Sequence, residues 1–215
     1  MAARLAVCLH GFLRTGASML PVRLRLRREG WSEVQTPTWR YELADLPALG
    51  RRASDTIRAL SDANDGAPID VVTHSMGGLV IRAALAHGPP VGRIVMLAPP
   101  NNGARMAQKV RKFVPVHLLG WDPLAPLQPG ATEHLPTGDA AEIGVLTGGR
   151  GNEWGYNPLL GHDNDGKVRI DEALLPGASD FRVMPAHHSF VMMRRPVLDQ
   201  VVAFLRGGSF DRPQP

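Results

Sequence analysis

A mostly parallel sheet of about six strands, with helices on both faces, is the fold class that this sequence predicts. Three observations predict it. Short apolar runs alternate with stretches of helical periodicity along the chain, the signature of strands joined by helical crossovers. The 215 residues suit one domain, expected over 1–215, and a chain of this length buries about 70% of its unfolded surface. The third is the stretch VVTHSMGGLV at 71–80, where an apolar strand runs into a serine among small residues and then into an apolar helix.

The elements follow in order. Residues 4–9 (RLAVCL) read as the first strand. Residues 18–29 read as a helix, with Ser18 as its N-cap and Gly30 as its stop. The RLRLR within it alternates as a strand would, but a parallel strand needs a crossover before the next one, which favours helix. Residues 33–36 form the second strand. Leu46, Leu49, Ala53, Ile57 and Leu60 recur at helical spacing, so 46–63 is the second helix. Residues 69–73 are a strand, 76–87 a helix, and 93–98, 142–147 and 180–184 three further strands. The closing helix is 195–206, with Pro196 in its first turn, where a missing N–H costs nothing. A long Pro- and Gly-rich segment lies between the fourth and fifth strands, and a compact domain rarely holds one without a use for it. Residues 101–141 read either as a lid or pocket wall, or as a surface helix followed by a proline-rich loop.

Composition excludes several function classes. The net charge is +4 and the basic residues are scattered. The densest run, 23–28, has no aromatic partners and reads as a solvated helix face, so no nucleic-acid binding is expected. The single cysteine, Cys8, allows no internal disulfide and sits in an apolar run as a small core residue. The opening MAARLAVCLHG is too short in apolar residues for a signal peptide. No apolar run approaches the roughly 18 residues of a membrane span. The expected location is the cytoplasm, although a secreted chain trimmed of its signal would look the same.

The chemistry centres on Ser75. It follows a buried strand and opens a helix, the placement a nucleophile elbow needs. Gly77 and Gly78 supply small neighbours on the helix side, while Thr73 stands where the first Gly of Gly-x-Ser-x-Gly belongs. The N–H of Met76, at the helix N-terminus, would face a developing oxyanion. His10-Gly11-Phe12 ends the first strand, where hydrolases of this kind place the other half of an oxyanion hole. By position the second donor is the Phe12 N–H. Gly11 permits close backbone approach, and His10 orients the loop.

A serine nucleophile needs a base, and the base needs a carboxylate. The base is one of the pair His187-His188, just after the last strand. The acid lies in GHDNDGKVRI, with Asp165 first choice and Asp163 runner-up, because an Asn-Asp-Gly turn presents its carboxylate outward. His74 adjoins the serine but points away from it, and is expected to be structural. A calcium-loop alignment of the same segment fails at its first ligand, where Gly161 stands, and Lys167 and Arg169 add positive charge. No metal is therefore expected.

With these residues in place the chain resembles the α/β-hydrolase superfamily, most of all its small bacterial lipase- and esterase-like members without a large cap. APPNNG at 98–103, NDGKV, LLPGASDF and the His-Ser-Phe segment are similar to theirs, and the likeness covers about 5–206. It favours His188 over His187 as base. It implies that Ser75 attacks the carbonyl of a small-molecule carboxylic ester, His188 takes its proton, and Asp165 orients the imidazole, with no cofactor. An acyltransferase or thioesterase on the same triad, or a non-catalytic binding protein of this fold, are the alternatives. Phe12, Leu13, Met76, Phe190, Met192 and the 121–127 segment are candidates to line an apolar acyl pocket.

Overall fold

A computed structural model describes residues 4–113, 122–137, 139 and 141–212. Its strands are β1 (Arg4–Leu9), β2 (Trp31–Gln35), β3 (Ile69–His74), β4 (Val91–Leu97), β5 (Glu142–Gly148) and β6 (Asp180–Met184). They form one sheet in the order β2-β1-β3-β4-β5-β6, and every neighbouring pair is parallel. The helices are α1 (Leu20–Arg28), α2 (Leu46–Asp62), α3 (Gly77–Leu85), α4 (Arg105–Arg111), α5 (Ile170–Ala173) and α6 (Arg195–Gly207).

Strand periodicity divides the core into two layers. Leu5, Val7 and Leu9 of β1 pack with Val71, Met96 and Val145 under α2 and α3. The alternate residues Ala6 and Cys8 pack with Val72, Val95 and Leu146 under α1 and α6. The strands are near-continuous apolar runs because both sheet faces are covered. Cys8 is fully buried, and burial pushes its thiol up to about 12, so it stays a neutral core residue.

Two local expectations need correction. Ser18 does not cap α1: its hydroxyl donates to the Thr15 carbonyl within a 3-10 turn, Gly16–Met19. The helix proper starts at Leu20, with Pro21 in its first turn. RLRLR is helical as expected, since Val22 and Leu26, four residues apart, are buried while Leu24 is exposed. The second strand begins at Trp31 instead of residue 33. The Trp31 indole N–H donates to Asp70 Oδ2 at 2.9 Å, which ties the start of β2 to the start of β3 across β1.

Candidate active site

All the candidate side chains come from the carboxyl ends of the strands, where loops leave a parallel sheet and ligands bind. Ser75 follows β3 with φ of 52°, a left-handed conformation rare outside glycine. The elbow holds it because its surroundings leave no alternative. A Cβ on Gly77 would lie 2.7 Å from the carbonyl oxygens of both Leu9 and His10, so only glycine lets α3 come this close to the end of β1. Thr73 is fully buried on the α3 side of the sheet, with its hydroxyl against Gly78. A Cβ on Gly78 would crowd Pro99 at 2.9 Å but meet the Thr73 hydroxyl only at an ordinary 3.6 Å, so the threonine fits beside α3 and the elbow closes without a glycine at 73.

Ser75 Oγ lies 3.0 Å from His188 Nε2. On the other side of the ring, His188 Nδ1 is 2.7 Å from Asp165 Oδ2. Asp165 is fully buried, and its Oδ1 accepts from the N–H groups of Lys167 at 2.9 Å and Val168 at 2.8 Å. A carboxylate so occupied acts only as an acceptor, which places the proton of the neutral imidazole on Nδ1 and leaves Nε2 free to accept from the serine. The His188 N–H also donates to the Asp165 carbonyl at 2.8 Å, tying base and acid loops together through the main chain.

The structure brings Ser75, His188 and Asp165 together and leaves the runners-up outside. Asp163 accepts from the N–H groups of Arg150, Gly151 and Asn164, and shapes the turn. His187 is exposed and packs edge-on against Tyr156. His10 accepts from the Trp39 N–H through Nε2 at 3.1 Å, donates through Nδ1 to the Gly11 carbonyl at 2.8 Å, and stacks on Tyr41. It organises the loop after β1. Burial holds its pKa below the ordinary histidine value. Among the described residues, the N–H groups of Phe12 and Met76 meet no hydrogen-bond acceptor.

Several supporting residues escape sequence reasoning. Asn164 is fully buried: its Nδ2 donates to the carbonyls of Trp154, Asn157 and His162, and its Oδ1 accepts from the N–H groups of Asn157 and Gly166. It braces the acid loop, and the Asn-Asp-Gly triplet is the one signal that pointed to it. Gly148 ends β5 beside this loop, and a Cβ there would collide with the Ala186 carbonyl and with Asp165. Glu172 accepts from the N–H groups of Arg105 at 2.8 Å and Arg169 at 2.9 Å, joining the start of α4 to the acid segment.

Ser75 opens onto a cavity of about 730 Å³. Its apolar wall is built from Phe12, Leu13, Met106, Val110, Leu124 and Leu127. Of the residues expected to line an acyl pocket, Phe12, Leu13, Leu124 and Leu127 border this cavity. Met76 and Met192 are fully buried in the two core layers, because the elbow turn and the 3-10 segment His188–Met193 send them inward. Phe190 points to solvent beside His187. Trp121 lies outside the described residues.

The alpha/beta hydrolase family profile matches residues 6–213. The chain belongs to the alpha/beta hydrolase family. Solved structures of similar fold include the mature form of the Bacillus licheniformis lipase BlEst2, at 20% identity and a TM-score of 0.73, covering 89% of this chain and 87% of that one. The metagenomic carboxyl esterase MGS0156 is similar at 18% identity and a TM-score of 0.64, covering 96% of this chain and 76% of that one. The Legionella pneumophila phospholipase PlaB is similar at 19% identity and a TM-score of 0.60, covering 80% of this chain but 45% of its own. No curated protein matches the chain. Like the hydrolases without a large cap, this member carries no large insertion of helices between its strands among the described residues, where α4 and the short turn Ala125–Leu127 separate β4 from β5. Among its described residues, no helix is long and apolar enough to cross a membrane.

Proposed function

We propose that the protein is a serine hydrolase that cleaves small-molecule carboxylic esters through an acyl-enzyme. The observation that carries this reading is the contact of Ser75 Oγ with His188 Nε2, 3.0 Å apart at the floor of an apolar cavity. In the proposed cycle Ser75 Oγ attacks the ester carbonyl carbon while its proton passes to His188 Nε2. Asp165 remains ionised and stabilises the imidazolium through Nδ1. The Phe12 and Met76 N–H groups are the proposed donors to the tetrahedral oxyanion. The intermediate collapses as His188 protonates the departing alkoxide oxygen, and water, deprotonated by the same nitrogen, then releases the acid and restores Ser75.

Intact mass after exposure to a fluorophosphonate, with peptide mapping, tests this. A single adduct on Ser75, absent in Ser75→Ala, is the expected result. An unlabelled but folded protein would overturn the reading and favour a ligand-binding member of the family.

A further inference from the structure

We propose that the preferred substrate is an ester whose leaving alcohol carries an anionic group, a phosphate or a carboxylate. This rests on the esterase reading above. The cavity in front of Ser75 is lopsided in charge. Among the described residues, its lining includes two cationic side chains, Arg14 and Lys167, and no aspartate or glutamate. Neither cation has an ion-pair partner among the described residues. The Arg14 guanidinium is held by one hydrogen bond, from Nη2 to the Ser189 carbonyl at 3.0 Å, which leaves most of its donors unused. Lys167 is exposed at the mouth. Both cations lie close enough to act on the site: after burial and the neighbouring His188, Arg14 and then Lys167 help to hold the His74 imidazole well below its ordinary value.

The placement of the two cations distinguishes the ends of the substrate. Arg14 is anchored to Ser189, next to the proposed base, and Lys167 follows the acid loop whose Asp165 holds that base. They flank His188. The apolar wall is formed mainly by Met106 and Val110 of α4 with Leu124 and Leu127, and Phe12 and Leu13 extend it toward Arg14. The leaving oxygen must sit at His188 Nε2, because its proton comes from there. The leaving alcohol therefore extends among the cations while the acyl chain lies along the apolar wall.

The test compares three esters of one acyl chain: octanoylglycerol, octanoylglycerol phosphate and octanoylglycerate, below their aggregation concentrations and at low ionic strength. The expected result is a kcat/KM about tenfold higher for one or both anionic esters than for the neutral one, a gain that shrinks as salt is raised. The phosphate and carboxylate arms identify which anion is preferred. Lys167→Gln should lower the anionic-to-neutral ratio about threefold, and Lys167→Glu should lower it further. These variants keep the main-chain N–H that binds Asp165 and leave the Arg14 anchor intact. Equal kcat/KM for all three esters, or a ratio indifferent to Lys167→Glu, would overturn the proposal while leaving the esterase reading standing. Failure of all three esters together with no fluorophosphonate adduct would overturn both.

Discussion

The imidazole of His74 reaches the main chain of His188: its Nε2 donates to the His188 carbonyl at 3.0 Å, and the two rings lie 5.0 Å apart. A histidine adjacent to the serine in sequence thus holds the loop that carries its partner, 114 positions later in the chain. The carbonyl it satisfies is buried, so the bond is costly to lose.

His74→Gln keeps a donor at nearly the same position, whereas His74→Phe fills the space without one. His74→Phe is expected to reduce kcat by roughly 10- to 100-fold, since small displacements of a reacting group are expensive. His74→Gln should recover most of the loss. Steady-state kinetics alongside rates of fluorophosphonate labelling would check this. Equal loss in both variants would mean that His74 fills volume only.

Stability should fall on mild acidification. Burial is the main cause that holds both His10 and His74 below the ordinary histidine value of 6.5. Near that pH the unfolded chain takes up a proton on each ring and the folded chain does not. The two histidines therefore cost nothing well above pH 6.5, and stability drops as pH falls below it, by at most about 1.4 kcal/mol per pH unit for each proton. Asp70 and Glu172, raised by burial, act in the opposite sense: their cost appears as pH rises from their ordinary values of 3.8 and 4.5. Urea midpoints between pH 7.5 and 5.5, at about half-unit steps, isolate the histidine contribution when the wild type is compared with His74→Gln, whose slope should be shallower.

The sheet was legible in the sequence because both faces of it are covered. Runs such as RLAVCL and RIVMLA need no environment beyond burial to become strands, and the helical spacing from Leu46 to Leu60 needs only one apolar neighbour. The Ser75 elbow and the acid turn were legible because each is local, set by small residues within a few positions. What failed depends on direction. Met76, Phe190 and Met192 adjoin site residues in sequence, yet their side chains are turned inward or outward by φ and ψ angles that no composition encodes. Arg14 was invisible because its partner Ser189 lies on another loop, and the reach of Asn164 was hidden because its own loop folds back on it from as far as Trp154.

Thr73 is the departure from the glycine pattern, and the packing around it makes a double prediction. Its hydroxyl is buried without a hydrogen-bond partner. Thr73→Val keeps the shape, removes the unpaired group and should stabilise the fold by about 0.5–1 kcal/mol. Thr73→Gly restores the usual motif but leaves a void and a flexible strand residue, and should cost about 2–3 kcal/mol. Chemical denaturation would read both. Labelling of Ser75 should proceed at similar rates in all three proteins, since the threonine stands beside α3 without a close contact at Gly78; faster labelling in Thr73→Gly would show that the threonine strains the elbow.

Arg82 links the elbow helix to the wall of the cavity. It sits on α3, 3% exposed, and its guanidinium donates to the carbonyls of Pro136 at 2.9 Å, Asn101 at 3.0 Å, Thr132 at 3.1 Å and Leu135 at 3.2 Å. Burial lowers its pKa to about 10, still far above neutrality, so the cation persists. No carboxylate pairs with it among the described residues; four main-chain oxygens offset its desolvation instead. These oxygens belong to the turn after β4 and to the loop that follows Leu127, whose position sets the depth of the apolar wall. Arg82→Met should therefore cost about 3 kcal/mol or more, because several buried carbonyls lose their donor at once. Arg82→Lys should recover little, since an ammonium cannot span the same four acceptors. Under conditions where the variants stay folded, KM for an octanoyl ester should rise more than KM for an acetyl ester, with a smaller change in kcat. A uniform loss across chain lengths would mean that Arg82 supports the elbow instead of the acyl wall.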